Sequence, residues 1–328
     1  MASEQLFELR RRTFDTPEFR GIEFIEAEAK TIINPVRGSF LPFKWTINPY
    51  RGCSHACSYC FARVTHTYMD MGAGRDFETK IVVKVNAPGV LRRQLAAKRW
   101  KGEPIAMGTA TDPYQRAEGR YRLMPGIIRA LIDYRNPFSI LTKGTLILRD
   151  LELLAEAARV TDVSTAFSIG TLDEEAWRRS EPGTPHPRKR IEAVAALNAA
   201  GVPCGVLVAP ILPGITDHPT QLREVVRAAL DARATHVSPI MLHLRPGVRE
   251  EFMPWLAQHY PDLVPMYEAT YARPYAPAAD RKALGRRVGG IVRALGGTRP
   301  RPEAPERFDR GRRDAPGIAH RTDQLTLV

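Results

Sequence analysis

From Thr46 to about Leu244, short apolar runs bounded by turn residues alternate with longer stretches whose apolar positions recur about every 3.6 residues. The short runs read as buried strands and the longer stretches as amphipathic helices. Strands are expected at residues 45–50, 105–109, 138–142, 162–169, 204–209 and 236–242. Helices are expected near residues 91–100, 125–134, 150–159, 188–200 and 219–232. Gly201 stands where a helix C-terminal cap is wanted, two residues before Pro203 and the next strand. Six strands with helical crossovers imply an α/β fold with a parallel sheet, lying open or partly closed as a barrel. In barrels of this kind the chemistry sits at the C-terminal ends of the strands.

The flanks break the alternation. Residues 1–44 form an N-terminal extension with an Arg10-Arg11-Arg12 run and an acidic, partly helical patch around residues 23–29. The extension leads through Phe43-Lys44-Trp45 into the first core strand, and a packing lid is its simplest role. Residues 45–245 make the core. Residues 246–295 read as added helices, one ending in Trp255-Leu256 and another over residues 280–295. The second carries Arg281, Lys282, Arg286, Arg287 and Arg293 with no acid after Asp280. Residues 296–328 combine Pro300, Pro302, Pro305 and Pro316 with many charges, a composition expected of a disordered tail.

Composition narrows the setting. With 44% apolar residues among 328, the chain can bury a sizeable core. A net charge of +12 favours polyanions, so nucleic acid is a candidate partner; a solvated, Arg-rich surface accounts for it equally well. Lys98, Arg99 and Lys101 around Trp100 form one basic patch of interest. No uncharged apolar run approaches membrane-span length, and the polar start Met-Ala-Ser-Glu-Gln has no signal-peptide pattern. Three of the four cysteines crowd together, which excludes a disulfide framework and points to a reducing, cytoplasmic setting without membrane contact.

Those three are Cys53, Cys57 and Cys60, spaced C-x3-C-x2-C directly after the first strand. Soft thiolates select zinc, copper(I) or iron–sulfur clusters. A structural zinc would need a fourth ligand from His55, His66 or Cys204, and it normally draws on two separated ligand pairs. One compact triple suits three irons of a [4Fe–4S] cube and leaves one iron without a protein ligand.

The spacing, with an aromatic before the last cysteine, resembles the signature of the radical S-adenosylmethionine (SAM) superfamily. Asn48-Pro49-Tyr50-Arg51-Gly52-Cys53 and Tyr59-Cys60-Phe61 resemble its spore photoproduct lyase-like branch. The resemblance implies a partial six-stranded (β/α)6 barrel. It also implies an enzyme whose [4Fe–4S] cluster cleaves SAM reductively to methionine and a 5′-deoxyadenosyl radical, which takes hydrogen from a substrate the sequence does not name. An electron donor such as a flavodoxin or ferredoxin is implied too.

Strand ends supply the matching cofactor positions. Thr111 and Asp112 match the segment that contacts SAM, with an Asx-type turn at Asp112-Pro113 as the plain alternative. Lys143 matches a partner of the methionyl carboxylate, and Ser168 a ribose- or carboxylate-binding serine. Tyr59 and Phe61 can pack on adenine or on the core, and residues 208–214 offer an apolar wall. Arg51 and His55 are close enough in sequence to influence the cluster, and Glu181 and Arg190 read as a surface ion pair more readily than as a brace.

One departure stands out. Thr109 occupies the place of the branch's hydrogen-donating cysteine, and its strong O–H bond makes it a poor donor, which counts against thymine-dimer reversal by that route. No catalytic side chain is assigned. Two alternatives remain: a nucleic-acid repair or modification lyase, and a non-enzymatic metal-bound nucleic-acid-binding module.

Overall fold

A computed structural model of the chain describes residues 10–36, 43–303 and 305. Its strands, in chain order, are β1 (Arg10–Thr13), β2 (Glu23–Ala27), β3 (Ile33–Pro35), β4 (Trp45–Ile47), β5 (Tyr50–Arg51), β6 (Lys80–Lys84), β7 (Ile105–Met107), β8 (Phe138–Thr142), β9 (Val163–Ser168), β10 (Cys204–Ile211) and β11 (Val237–Met241). The larger sheet runs β11-β10-β9-β8-β7-β4-β3. Its six strands from β11 to β4 are parallel, and β3 closes the other edge antiparallel. These are the six expected strands, in the expected order, in a sheet that remains open between β11 and β3.

Helices Ala87–Ala96, Leu123–Asp133, Leu151–Val160, Pro187–Ala199 and Pro219–Asp231 make the crossovers. Their apolar faces and the strands form one core around Ile127, Ile128, Phe138, Ile140, Leu154, Phe167, Leu197, Val206 and Val226. Each such side chain contributes about 1.5–3 kcal/mol relative to an exposed one. The first crossover helix starts earlier than periodicity suggests, with Pro88 in its first turn, where a missing N–H costs nothing. Trp100 therefore lies outside the helix. Its indole donates to Asn136 at 2.7 Å and its ring meets Trp45 edge-on, at the end of the sheet where the strands begin. The basic patch around it sits away from the strands' C-terminal ends.

Two expectations need correcting. The acidic patch near residue 23 is β2, not helix: Phe24 and Ile25 are buried and pair with β6 in a second sheet, ordered β1-β2-β6-β5. Aromatic contacts of Phe14, Phe19 and Phe24, and of Phe24 with Tyr121, fasten this unit to the core. The run over residues 45–50 also divides. Pro49 has no N–H to give a ladder, so β4 ends at Ile47 and β5 joins the second sheet.

Beyond β11, helices Arg249–His259 and Val264–Thr270 bury Phe252, Leu256, Tyr267 and Tyr271 in a second core that includes Cys57 and Tyr59. Helix Ala278–Ala294 covers β11 and buries Leu284 and Val288. Most of the expected tail lies outside the described residues. Of its first residues, Arg301 reaches back to the Asp162 carboxylate and to the Val163 carbonyl at 3.1 Å.

Where β7 ends, Gly108 has φ +86°, and a Cβ there would fall on the Leu141 carbonyl oxygen of β8. Gly108→Ala therefore combines strain with collision and is expected to cost about 2 kcal/mol or more, lowering the thermal unfolding midpoint by several degrees. An unchanged midpoint would contradict this packing.

Candidate active site

The cluster and cofactor positions expected from sequence meet at one place. Cys53, Cys57, Tyr59, Cys60, Phe61, Thr111, Asp112, Lys143 and Ser168 all line a single pocket of about 200 Å³ at the C-terminal ends of the parallel strands. Thr109 faces the same space. Leu207, Ala209, Pro210, Ile240 and Leu242 give it an apolar wall. Cys204 does not reach it; it is fully buried in the main core.

The cysteine loop belongs to neither sheet, so its peptide groups need partners from elsewhere. Cys53 N–H donates to the Phe77 carbonyl at 2.9 Å and Ser58 N–H to the Ser180 carbonyl at 3.0 Å. Ser54 N–H donates to the Gln115 side chain at 3.0 Å, whose amide returns a bond to the Gly52 carbonyl at 2.9 Å. The buried Arg63 fork grips the Cys57 carbonyl at 2.9 and 3.2 Å and the Ala73 and Gly74 carbonyls, and pairs with Glu78. On the other flank, Gly183 N–H donates to the His55 carbonyl at 3.0 Å. A Cβ at Gly183 would fall on the Ser54 carbonyl oxygen. The turn between helices Glu174–Ser180 and Pro187–Ala199 thus lies directly on the cysteine loop.

Thr111 and Asp112 serve this same framework. The Thr111 hydroxyl donates to the Gly52 carbonyl at 2.7 Å and accepts from Gln115 at 2.8 Å. The Asp112 carboxylate accepts from Thr142 Oγ1 and Lys143 N–H, both at 2.6 Å, and from Tyr114 N–H at 2.8 Å. His55 Nδ1 lies 3.3 Å away. Burial acts to raise this carboxyl, but His55 and the donated hydrogen bonds outweigh it and bring it down to about 2. The Asx turn at Asp112-Pro113 exists, and it lines the pocket as well.

Lys143 brings the positive charge. Its ammonium donates to Ser168 Oγ at 2.5 Å, lies 3.3 Å from Glu181 and sits 5.7 Å from the centre of the Tyr59 ring. The Ser168 hydroxyl in turn donates a hydrogen bond to the Ala209 carbonyl at 2.6 Å. The Tyr59 hydroxyl donates to Glu181. Glu181 and Arg190 are no surface pair: their side chains are 7% and 1% exposed. Arg190 also holds the Ser168 and Pro185 carbonyls, at 3.0 and 2.8 Å. Burial alone would raise Glu181, yet Arg190 and Lys143 hold it down at about 2.

All three thiols are free, and burial pushes each of them up, Cys57 further through Glu181 and Cys53 through Asp112. In such surroundings a thiolate forms readily only against a bound metal cation, which deprotonates its sulfur outright. Among the described residues, no group of three or more His, Cys, Asp or Glu is placed to hold a single metal ion.

The model of the radical SAM superfamily matches residues 47–226, more than half of the chain. The chain belongs to the radical SAM superfamily. That membership makes it an enzyme of the radical SAM class. An uncharacterised protein of Mycobacterium tuberculosis is 48% identical over 300 residues, covering 90% of this chain and 88% of that protein. One of Methanocaldococcus jannaschii is 32% identical over 197 residues, covering 60% and 70%. Among solved structures, spore photoproduct lyase with a dinucleoside spore photoproduct superposes with a TM-score of 0.60 at 16% identity, over 83% of this chain and 79% of that one. A variant with bound AdoMet and the same photoproduct gives 0.61 at 16% identity, over 88% and 85%. At that identity the likeness establishes the radical SAM fold.

Sequence reasoning missed Gln115 and Arg63, which fasten the cysteine loop, and underrated Glu181 and Arg190. Gln115 closes the Thr111-Asp112-Pro113-Tyr114-Gln115 run and could have been found there; nothing in sequence marks Arg63. Arg190→Ala would strand the Glu181 carboxylate and is expected to cost about 3–5 kcal/mol in urea unfolding, whereas a wild-type midpoint would contradict the brace. The same carboxyl sets a pH dependence. Folded, it stays near 2; unfolded, it titrates near 4.3, so its stabilisation is complete above that value and lost as pH falls toward 2. Glu181→Gln should flatten that part of the acid unfolding curve.

Proposed function

We propose that Cys53, Cys57 and Cys60 bind a [4Fe–4S] cluster through three of its irons and that the pocket beside them binds SAM. The observation that carries this is the opening of three free thiols and one ammonium, Lys143, into a single pocket with an apolar far wall. A zinc site would need ligands converging on one ion, which the described residues do not provide; a cubane spreads its thiolates over separate irons. When bound and reduced, the cluster supplies the electron that splits SAM into methionine and a 5′-deoxyadenosyl radical, and the protein supplies position and a dry pocket.

The side chains then have distinct tasks. Lys143 offers its charge to the methionyl carboxylate, in company with Ser168. Tyr59 lies against the Lys143 ammonium and fixes Glu181, while the exposed Phe61 stands at the mouth. Leu207, Ala209 and Pro210 supply the apolar surface for adenine. Thr111 and Asp112 keep the cysteine loop and the ends of β7 and β8 in register, so their share in cofactor binding is mainly to shape the walls. Thr109 presents a hydroxyl to the pocket where the branch has its thiol, and its strong O–H bond makes it a poor donor for returning hydrogen to product. A flavodoxin- or ferredoxin-type protein would deliver the electron.

Anaerobically reconstituted, dithionite-reduced protein should form 5′-deoxyadenosine from SAM, measured by chromatography. Single alanine variants of Cys53, Cys57 and Cys60 should lose iron and product together. Lys143→Ala should keep its iron and weaken SAM binding about tenfold or more, the scale of a lost charged hydrogen bond. Iron-loaded wild-type protein that forms no 5′-deoxyadenosine with any of several reductants would contradict the proposal, as would purified protein holding one zinc and no sulfide.

A further inference from the structure

A second cavity reaches the cysteine loop from another side. Its volume is about 720 Å³, against about 200 Å³ for the pocket. It lies between the N-terminal unit, at Phe14 and Glu18, and the segments that follow β7, β8 and the helix Glu174–Ser180. The two cavities share one lining residue, His55, which stands midway between Cys53 and Cys57. Gln115 and Gly183, which hold the cysteine loop, line the second cavity as well. Through Gly183 it comes close to a proposed cluster ligand. Gly183 N–H donates to the His55 carbonyl at 3.0 Å, and that carbonyl oxygen lies 4.0 Å from Cys57 Sγ.

The lining is basic. Arg116 and Arg120 are both exposed; Arg120 lies over the Phe14 ring at 4.7 Å, and Arg116 donates to the Glu18 carbonyl at 3.5 Å. Glu18 carries the one carboxylate among the described lining residues. Reductive cleavage draws one electron per turnover from outside the chain. In the proposed complex SAM covers the unligated iron and the substrate lies beyond it, so an electron that arrives while both are bound cannot come through the pocket. The second cavity is the other approach: a wide basic concavity with one layer of protein between it and the thiolates. A small metabolite would fill the volume but would leave the short path to Cys57 without a use.

We propose that this cavity is the docking surface for the cluster's reductant, a small redox protein of net negative charge that seats the edge of its flavin or iron–sulfur carrier against Gly183 and Pro185. The step moves one electron from the partner, which is oxidised, through Gly183 and His55 to the cluster, which is reduced, and it makes or breaks no bond. The electron's destination rests on the radical SAM reading of the pocket; the cavity's affinity for an acidic protein does not. Electron-transfer encounters bury little surface, so charge on Arg116 and Arg120 guides the approach more than contact area does.

The test compares two reductants on full-length, cluster-loaded protein with SAM: dithionite, a small molecule, and a reduced flavodoxin. Electron paramagnetic resonance follows the reduced cluster, and chromatography follows 5′-deoxyadenosine. Binding of labelled flavodoxin is measured in parallel by fluorescence anisotropy, which needs no cluster. Arg116→Glu/Arg120→Glu should slow flavodoxin-driven cluster reduction about tenfold or more at low salt and weaken flavodoxin binding with it, the gap narrowing as salt screens the charges. Dithionite-driven reduction should stay within about twofold of wild type, and Arg116→Lys/Arg120→Lys should keep most of the flavodoxin rate. Lys98→Glu/Arg99→Glu makes the same charge change on exposed residues near the other end of the sheet and should behave like wild type. Matching thermal melts show that each variant is folded. Charge-reversed protein that binds and accepts electrons from flavodoxin like wild type, a control pair that loses as much, or wild type that dithionite reduces but neither flavodoxin nor a ferredoxin does would each overturn the docking surface. A cluster that flavodoxin reduces without 5′-deoxyadenosine being formed refutes the SAM reading of the pocket alone.

Discussion

A loop can hold three cysteines in a fixed pattern only if its own peptide groups, with no ladder or helix to join, are satisfied by something rigid. Here the partners come from three sides. Phe77 and Arg63 hold the side of the second sheet, Gln115 and Thr111 the end of β7, and Ser180 and Gly183 the segment after β9. The (β/α) framework matters to the site because it brings these distant segments to one end of the sheet. The second sheet takes no part in the pocket wall, but the short helix Arg75–Thr79 that leads into β6 anchors Cys53 through the Phe77 carbonyl.

Charge is handled by the same economy of position. Two buried carboxylates, Asp112 and Glu181, each accept several hydrogen bonds, and each is held ionised by neighbours that also build the pocket. Asp112 ties the loop after β8 to His55. Glu181 ties Tyr59, Lys143 and Arg190 together, so that Lys143 reaches the pocket from a fixed base instead of as a free surface lysine. Low dielectric strengthens these bonds and makes a missing partner costly, which joins the stability of the fold to the geometry of the site.

The parallel sheet was legible in sequence because its strands are buried on both faces and therefore read as continuous apolar runs between helical periods. The cysteine triple was legible because its chemistry depends on local spacing. The second sheet was not: β2 mixes Glu23 and Glu26 with Phe24 and Ile25, and its partner β6 is nearly sixty residues away. The role of Arg190 was hidden for a related reason, since an arginine near a glutamate looks the same at a surface and in a core until the packing around it is known. Thr111 and Asp112 show a subtler limit. Their nearness to the site could be read from the strand end, but whether their oxygens face a ligand or the protein depended on Gly52, Thr142 and the backbone of Lys143.

The proposed [4Fe–4S] cluster would have one iron that the protein leaves unligated beside Lys143. Mössbauer spectroscopy of protein loaded with isotopically enriched iron, recorded before and after SAM is added under anaerobic conditions, reports on it directly. The account predicts a cubane in which a single iron changes its parameters on adding SAM while the other irons keep theirs. A spectrum that SAM leaves unchanged at every iron, or one without a cubane, would contradict it.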